Sequence, residues 1–419
     1  MEKSKLNPEL PIILVDTSYW LYYRFFALRK WYTFAYPDLQ NKDCNWLENQ
    51  LFMTKYKQLF TDNIKKICKK YKTKMENVVF CLDCNHNSIW RHTIVNTENE
   101  KIKIKNEKIK IKIEQKKAVE LLDPKEPLEP QDTQDPQDPQ DPQDPQDPQD
   151  PQDPQDPQDP QEPLDPQEPL DPQEPLDPQE PLDSTEDTED TELTVLIEPY
   201  KGTRKESHKK NNFNSFNIFS HMKKSFIPML KDNNNNNIKI IQCSSCEADD
   251  IIGQLSIYIE NKWKINNKKI YILANDYDYL QVCNENIILI NGIGNIISNK
   301  KEKTILGESY LLSKILLGDK SDNINACTID SGFLNTGICS TKYKNINKKI
   351  INDIFNNLDK YNVLIKLLND IRNNKLINEI ENKNIININK FKHNCNMIDF
   401  KMLPHKLNIK LYKLFDEII

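Results

Sequence analysis

Nine carboxylates in this chain stand where a folded protein does not usually leave them. Asp16 follows Ile-Ile-Leu-Val, Asp83 follows Val-Val-Phe-Cys-Leu, and Asp276 and Asp278 follow Ile-Tyr-Ile-Leu-Ala-Asn. Glu247, Asp249 and Asp250 lie together in Cys-Glu-Ala-Asp-Asp-Ile-Ile-Gly, and Asp319 and Asp322 close an apolar helical stretch. A charge at the end of a buried strand is costly to desolvate unless something compensates it, and for a group of acids that is usually a cation. Single acids at helix starts are ordinary caps and dipole partners, which accounts for Asp249 or Asp276 alone but not for the whole set.

The donor set narrows the cation. Oxygen ligands without accompanying His or Cys suit Mg²⁺ or Mn²⁺ rather than zinc. Two such ions clamp the attacking and leaving oxygens of an in-line phosphoryl displacement. On a helix start, positions 247 and 250 share a face, so the spacing expects Glu247 and Asp250 to point together into a crevice, with Asp249 the less certain ligand of the pair. Two Cys-x-x-Cys pairs, Cys81/Cys84 and Cys243/Cys246, are read as small apolar residues at strand ends rather than as a zinc site.

The elements that must position these acids are legible as alternating strands and helices. Strands are expected at 12–15, 78–82, 238–242, 270–274 and 287–290, each a short branched apolar run. Helices are expected at 19–28, 47–71, 217–230, 247–259 and 277–282. The fold class is therefore α/β, a mostly parallel sheet with helices on both faces, in which ligands gather at the carboxyl ends of the strands. From Tyr310 onward the pattern reads as helical, without clear strands. Residues 102–113 alternate Lys with Ile and fit a helix, a strand or disorder.

Composition divides the chain. Between Ala118 and Leu193 an acid recurs every three residues from Glu120 to Glu186, and this tract holds 27 acids, one Lys and 19 of the 25 prolines. Removing its net −26 from the chain's −6 leaves +20 for the rest, a balance suited to neutralising phosphates. A Lys- and Asn-rich codon bias contributes to that excess. Proline at every third position forbids helix and sheet ladders, so the tract is expected to be a long, disordered, acidic insertion with polyproline II character. No apolar run approaches the roughly 20 residues of a membrane span, and no signal or transit segment is visible ahead of Ile12. Ten cysteines without a disulfide-scaffold spacing suit a reducing, intracellular setting.

Five strings together resemble a known family. They are Ile-Leu-Val-Asp16-Thr-Ser-Tyr-Trp-Leu-Tyr-Tyr-Arg24, Val-Val-Phe-Cys-Leu-Asp83, Glu247-Ala-Asp249-Asp250-Ile-Ile-Gly253, Asn-Asp276-Tyr-Asp278-Tyr-Leu-Gln281 and Gly318-Asp319-Lys-Ser-Asp322-Asn323-Ile324. In order and spacing they are similar to the acidic motifs of bacterial-type 5′–3′ exonucleases: the 5′-nuclease domain of DNA polymerase I and its free-standing, flap-endonuclease-like relatives, with a PIN/resolvase-like core. The resemblance implies two ions per site, Mg²⁺ or Mn²⁺. Asp16, Asp83, Glu247, Asp249 and Asp250 would hold the ion nearest the scissile phosphate, and Asp276, Asp278, Asp319 and Asp322 the second. The reaction implied is hydrolysis of DNA, or of RNA in a hybrid, from a 5′ end or at a flap, leaving 5′-phosphates, in replication or repair.

The same resemblance supplies DNA contacts. Trp90-Arg91 and Tyr200-Lys201-Gly-Thr-Arg204 look like two halves of one motif at the base of a helical arch, separated here by the insertion. Lys201 and Arg204 would stabilise transition-state charge, and Arg24, Arg91 and Tyr200 would meet DNA. Of the aromatics in the expected 19–28 helix, Tyr19 and Tyr22 could stack on a terminal base, whereas Trp20 and Tyr23 are read as core packing. After Ile324 the chain departs from the family's glycine-rich duplex clamp. The nearest match is Gly337-Ile-Cys-Ser-Thr-Lys342, so Gly337 and Lys342 are the expected duplex contacts of a degenerate helix-turn-helix. The expected organisation is a catalytic core at 1–94 and 197–300, an insertion at 95–196, and a helical DNA-binding region at 301–419. The partner implied is DNA, with no membrane. A bacterial-type enzyme in a repeat-bearing chain points to a DNA-containing organelle, plastid or mitochondrion. The competing readings are a catalytically inactive nucleic-acid-binding protein and an RNA-directed PIN-type nuclease.

Overall fold

The computed structural model describes residues 5–36, 45–85, 88–120, 196–201, 215–232, 238–263, 268–297, 305–336, 340, 342–375 and 385–419. The Asp-Pro-Gln tract lies outside them. Contacts divide the chain into two compact units, residues 1–102 with 195–419, and residues 103–194. In the first unit Asn99 faces Ile197 across the sequence gap: its side-chain amide donates to the Ile197 carbonyl at 2.9 Å and its Oδ1 accepts the Ile197 N–H at 2.7 Å.

Five strands, β1 (Ile12–Asp16), β2 (Val78–Leu82), β3 (Lys239–Gln242), β4 (Ile270–Leu273) and β5 (Ile287–Ile290), form one sheet in the order β3-β2-β1-β4-β5. All four pairings are parallel. The apolar runs became strands because they are branched and largely buried, β1 and β2 on both faces, the pattern of a covered parallel sheet. Alternation along β1 shows the two cores: Ile12 and Leu14 join one apolar cluster and Ile13 and Val15 the other. The chain winds from β1 out to β3 and then returns to the opposite side at β4. The topological switch point therefore lies between β1 and β4, where such sheets bind ligands.

On one face, α1 (Thr17–Ala35) and α2 (Gln50–Lys70) pack Trp20, Phe25, Phe52, Tyr56 and Phe60, all fully buried. Burying each such side chain contributes roughly 1.5–3 kcal/mol. Helix α3 runs from Trp90 to Glu120, so residues 102–113 are helical. Short helices α4 (Ser215–His221) and α5 (Ile227–Asp232) flank one π-helical turn at Met222–Phe226. The other face is covered by α6 (Ala248–Trp263), followed further along by a 3₁₀ turn at Tyr277–Gln281. Gly253 in α6 admits the Phe400 ring where a Cβ would stand 2.4 Å from it.

The C-terminal region holds α7 (Gly307–Leu317), a hairpin of β6 (Thr328–Asp330) and β7 (Tyr343–Asn345) enclosing α8 (Ser331–Thr336), then α9 (Lys348–Phe355), α10 (Leu358–Arg372), α11 (Ile388–Ile398) and α12 (His405–Asp416). The antiparallel β6–β7 pair corrects the expectation of helices alone; its three-residue strands are too short to leave a period-two signal. The expected boundary near residue 300 is not a boundary between compact units. Phe400, Leu403, Leu411 and Phe415 complete the core cluster that contains Ile12, Leu14 and α6, tying the C-terminal helices to the sheet.

Candidate active site

Three acids meet at the switch point. Asp16 is the last residue of β1 and caps α1 by accepting the Tyr19 N–H at 2.9 Å. Asp276 caps the 3₁₀ turn beyond β4, and Asp249 lies in the first turn of α6. The Tyr279 hydroxyl donates to Asp249 Oδ1 at 2.9 Å and stands 3.5 Å from Asp16 Oδ2. None of the three has an ion-pair partner among the described residues. Burial and then the neighbouring Asp83 push the Asp16 carboxyl up to about 7. Burial, then Asp276 and Asp16, hold Asp249 well above the usual carboxylate range, and burial with Asp278 raises Asp276. Like charges gathered out of water disfavour their own ionisation.

One residue on from Asp249 the surroundings invert. Asp250 is fully buried, with Oδ1 2.8 Å from Arg91 Nη2. Its Oδ2 accepts from Arg91 Nη1 at 3.1 Å, from Trp90 Nε1 at 3.0 Å and from the Glu247 N–H at 3.0 Å. The Arg91 guanidinium also donates to Glu247 at 3.0 Å and, through Nε, to the Met397 carbonyl at 2.8 Å. Glu247 in turn accepts from the Lys201 ammonium at 2.7 Å and the Tyr200 hydroxyl at 3.0 Å. Burial works to raise Glu247, but Lys201 and Arg91 outweigh it and hold its carboxyl below the ordinary value. Lys201, at φ +55°, lies 3.8 Å from Asp322 and gives its N–H to the Asp322 carbonyl at 3.3 Å.

The remaining acids carry lysines. Lys314, in the last turn of α7, sits 2.8 Å from both Asp278 and Asp319. Gly318 turns the chain between Lys314 and Asp319 at φ +71°, and a Cβ there would stand 2.3 Å from the Ile324 carbonyl oxygen, so glycine is required. Asp83, just past β2, accepts the Ala248 N–H at 3.0 Å, the Ser18 hydroxyl and the Lys223 ammonium at 3.2 Å. One cleft is lined by Asp249, Asp278, Asp319 and Asp322 with Arg91 and Tyr200, floored by Ile324, Ile398 and Phe400.

The structure thus places Asp249, Asp278, Asp319 and Asp322 around one cleft, with Asp16 linked to Asp249 through Tyr279, while reversing the expected order within one pair. Asp249, not Asp250, faces Asp16 and Asp276; Asp250 is spent on Arg91 and Trp90. The reason is that the Trp90-Arg91 segment at the start of α3 packs against the α6 N-terminus and supplies donors to the buried carboxylates at positions 247 and 250. Arg91 and Tyr200, expected to meet DNA, are turned inward, 3% and 4% exposed. Arg24 lies half-buried with its guanidinium 4.3 Å from the Tyr23 ring centroid and 4.8 Å from that of Trp20. Trp20 is core, as expected. Lys342 is exposed, in the segment that leads into β7. Arg204 and Gly337 lie outside the described residues. Sequence reasoning missed Tyr279, Lys314 and Lys223. A Lys in the last turn of a helix before two acids is a readable signal for Lys314; nothing distinguishes Lys223 from the chain's many other lysines.

Residues Asp16, Asp249 and Asp276 form an all-oxygen set without an ion-pair partner among the described residues, a donor chemistry that suits a hard divalent ion. Among the described residues no group of three or more acids, imidazoles or thiols already stands close enough to hold one ion. Carboxylates without a cation between them repel, and in this arrangement the other acids take basic side chains instead. Comparison with known proteins agrees in type. The family described as 5′-3′ exonuclease, N-terminal resolvase-like domain, matches residues 182–315. The chain is similar to 5′-3′ exonucleases. The 5′-3′ exonuclease of Buchnera aphidicola subsp. Acyrthosiphon pisum (strain APS) is 34% identical over 131 residues, 29% of this chain and 41% of that protein. That of Buchnera aphidicola subsp. Schizaphis graminum (strain Sg) is 28% identical over 137 residues, 32% and 44%. The chain therefore spans less than half the length of these relatives. Among solved structures, T5 D15 protein co-crystallised with metal ions matches with TM-score 0.33 and 15% identity, covering 52% of this chain and 78% of that one. A T5 D15 flap endonuclease complex with DNA and metal ions matches with TM-score 0.32 and 15% identity, covering 52% and 76%.

Proposed function

We propose that this protein is a divalent-metal-dependent 5′–3′ exonuclease that hydrolyses DNA phosphodiesters at 5′ ends and flaps, acting in replication or repair. The observation that carries the reading is the trio Asp16, Asp249 and Asp276 at the switch point of a parallel sheet, without an ion-pair partner among the described residues. Two of them, Asp249 and Asp276, lie within the segment, residues 182–315, that is similar to 5′-3′ exonucleases. Asp16, Asp249 and Asp276, with Asp83, Asp278, Asp319 and Asp322 around them, would hold the ions. When bound, Mg²⁺ or Mn²⁺ supplies the Lewis acidity for attack of water at phosphorus and for departure of the leaving oxygen.

The chain's own residues divide the remaining work. Tyr279 fixes the rotamer of Asp249 by donating to Oδ1. Arg91 clamps Glu247 and Asp250, and so holds the first turn of α6 in place. Lys201 lies 3.8 Å from the cleft-lining Asp322, and burial, which disfavours its charge, is outweighed by Tyr200, Glu247 and Asp322, so it remains an ammonium. Held between Glu247 and Asp322, it is the group placed to meet a phosphate oxygen, with Arg204 of the same motif as its companion. Ile324, Ile398 and Phe400 give the cleft an apolar floor that limits water around the reacting phosphate. Cleavage of labelled 5′-flap duplex, nicked duplex and RNA–DNA hybrid with Mg²⁺ or EDTA tests the reading. Metal-dependent release of 5′-phosphate products is expected; no cleavage of any substrate at any enzyme level overturns it.

A further inference from the structure

Lys223 belongs to no motif, yet it reaches the acid rim. The π-helical turn at Met222–Phe226 anchors the fully buried Met222 and sends the next side chain toward β1 and β2. Turns of this kind recur at functional sites because the extra residue re-aims a side chain. The Lys223 ammonium stands 2.6 Å from Ser18 Oγ and 3.2 Å from Asp83 Oδ2. Asp83 has two other donors: Oδ1 takes the Ala248 N–H at 3.0 Å, and Oδ2 takes the Ser18 hydroxyl. The charge of Lys223 also acts on Asp16.

We propose that Lys223 is a resident counter-cation of Asp83, which a divalent ion must displace in order to use that carboxylate. This rests on the metal-dependent reading above. The argument is one of sites and charges. Oδ1 carries one backbone N–H, whereas Oδ2 carries both Ser18 and Lys223, so a divalent ion that uses Oδ2 meets the Lys223 ammonium there. Two cations cannot share that oxygen without repulsion, so binding is an exchange. Lys223 is the basic residue able to leave: its side chain is 31% exposed and it pairs with a single acid. Arg91 and Lys201 are buried and each holds two acids, and Lys314 bridges Asp278 and Asp319. Lys223 offsets the charge of Asp83 before the ion arrives, and the exchange sets the concentration at which the ion loads.

The test is Mn²⁺ binding to the full chain at pH 8 and low salt, read by the electron paramagnetic resonance of free Mn²⁺. Lys223→Met is expected to bind Mn²⁺ about three- to ten-fold more tightly, the equivalent of removing one partly exposed ion pair. Lys223→Arg should stay close to wild type, and adding Lys223→Met to Asp83→Asn should change nothing, since the shared carboxylate is gone. Unchanged affinity in Lys223→Met, or a higher KM for DNA alone, overturns the proposal and makes Lys223 a phosphate contact or a surface residue. Absence of any Mn²⁺ binding to wild type overturns the metal-dependent reading itself. Thermal unfolding monitors the fold, and Lys223→Gln carries the same comparison if the Met variant does not fold.

Discussion

Two halves of one acidic rim are built on opposite principles. At the switch point, Asp16, Asp249 and Asp276 face one another across β1, α6 and β4 with a tyrosine hydroxyl among them and no basic partner among the described residues. Around the first turn of α6 and the start of α3, Glu247 and Asp250 are paired with Arg91, Trp90, Tyr200 and Lys201. Adjacent residues in the chain, Asp249 and Asp250, fall on opposite sides of this division. Paired carboxylates stabilise a position; unpaired ones create a demand for charge. A rim that needs rigid geometry and an exchangeable cation uses the first kind to hold the second.

The division predicts opposite phenotypes for neighbouring substitutions. The largest effect is expected for Asp249→Asn: turnover on a 5′-flap substrate falls by more than the roughly 100-fold typical of losing an outer partner of a metal ligand, while the melting temperature holds or rises. A clear loss of stability would place Asp249 among the structural acids. Asp250→Asn is expected to act on the fold, leaving the buried Arg91 without its main counter-charge. Breaking such a pair costs about 3–5 kcal/mol, and the amide's remaining acceptor for Trp90 places this variant near the lower end, on the order of 10 °C in Tm. A fully stable, inactive Asp250→Asn would reverse the assignment.

Acidity sharpens the same contrast. Asp16 is pushed up to about 7 from an unfolded value near 4, so between those pH values the folded state binds the proton that the unfolded state has released. Its contribution to the stability of the metal-free protein is therefore present below pH ~4 and is lost as pH rises toward ~7. Metal-free protein should melt lower at pH 8 than at pH 6, Asp16→Asn should reduce that dependence while still capping α1 through its amide oxygen, and Mg²⁺ should restore the wild-type protein. Identical pH dependence in wild type and Asp16→Asn would show that Asp16 is not under this strain. The smallest effect is expected for Lys314→Met. It frees Asp278 and Asp319 from a partly exposed cation, lowering metal-free stability by no more than about 1 kcal/mol. A loss several times larger in chemical denaturation would make Lys314 a core support.

Much of this was readable before any coordinates. The five parallel strands follow from branched apolar runs, and an acid at the end of β1, one residue past β2 and three past β4 predicts a rim. What the sequence could not give is pairing. Helical spacing groups Glu247 with Asp250, which is correct, but it cannot say that Arg91, 159 positions before Asp250, will claim them both and turn them from the cleft. Lys223 was invisible for the same reason: its role depends on a π-helical turn, and single insertions into a helix leave no mark on a short amphipathic pattern. The β6–β7 hairpin was missed because its strands are three residues long and exposed along β7.

The account stands most directly on where a divalent ion binds. Mn²⁺ titrated at pH 8 into wild type, Asp249→Asn and Asp250→Asn, each at a temperature where it is folded, separates the two halves of the rim. Binding retained in Asp250→Asn and lost in Asp249→Asn is the predicted result. Binding retained in Asp249→Asn and lost in Asp250→Asn would contradict it.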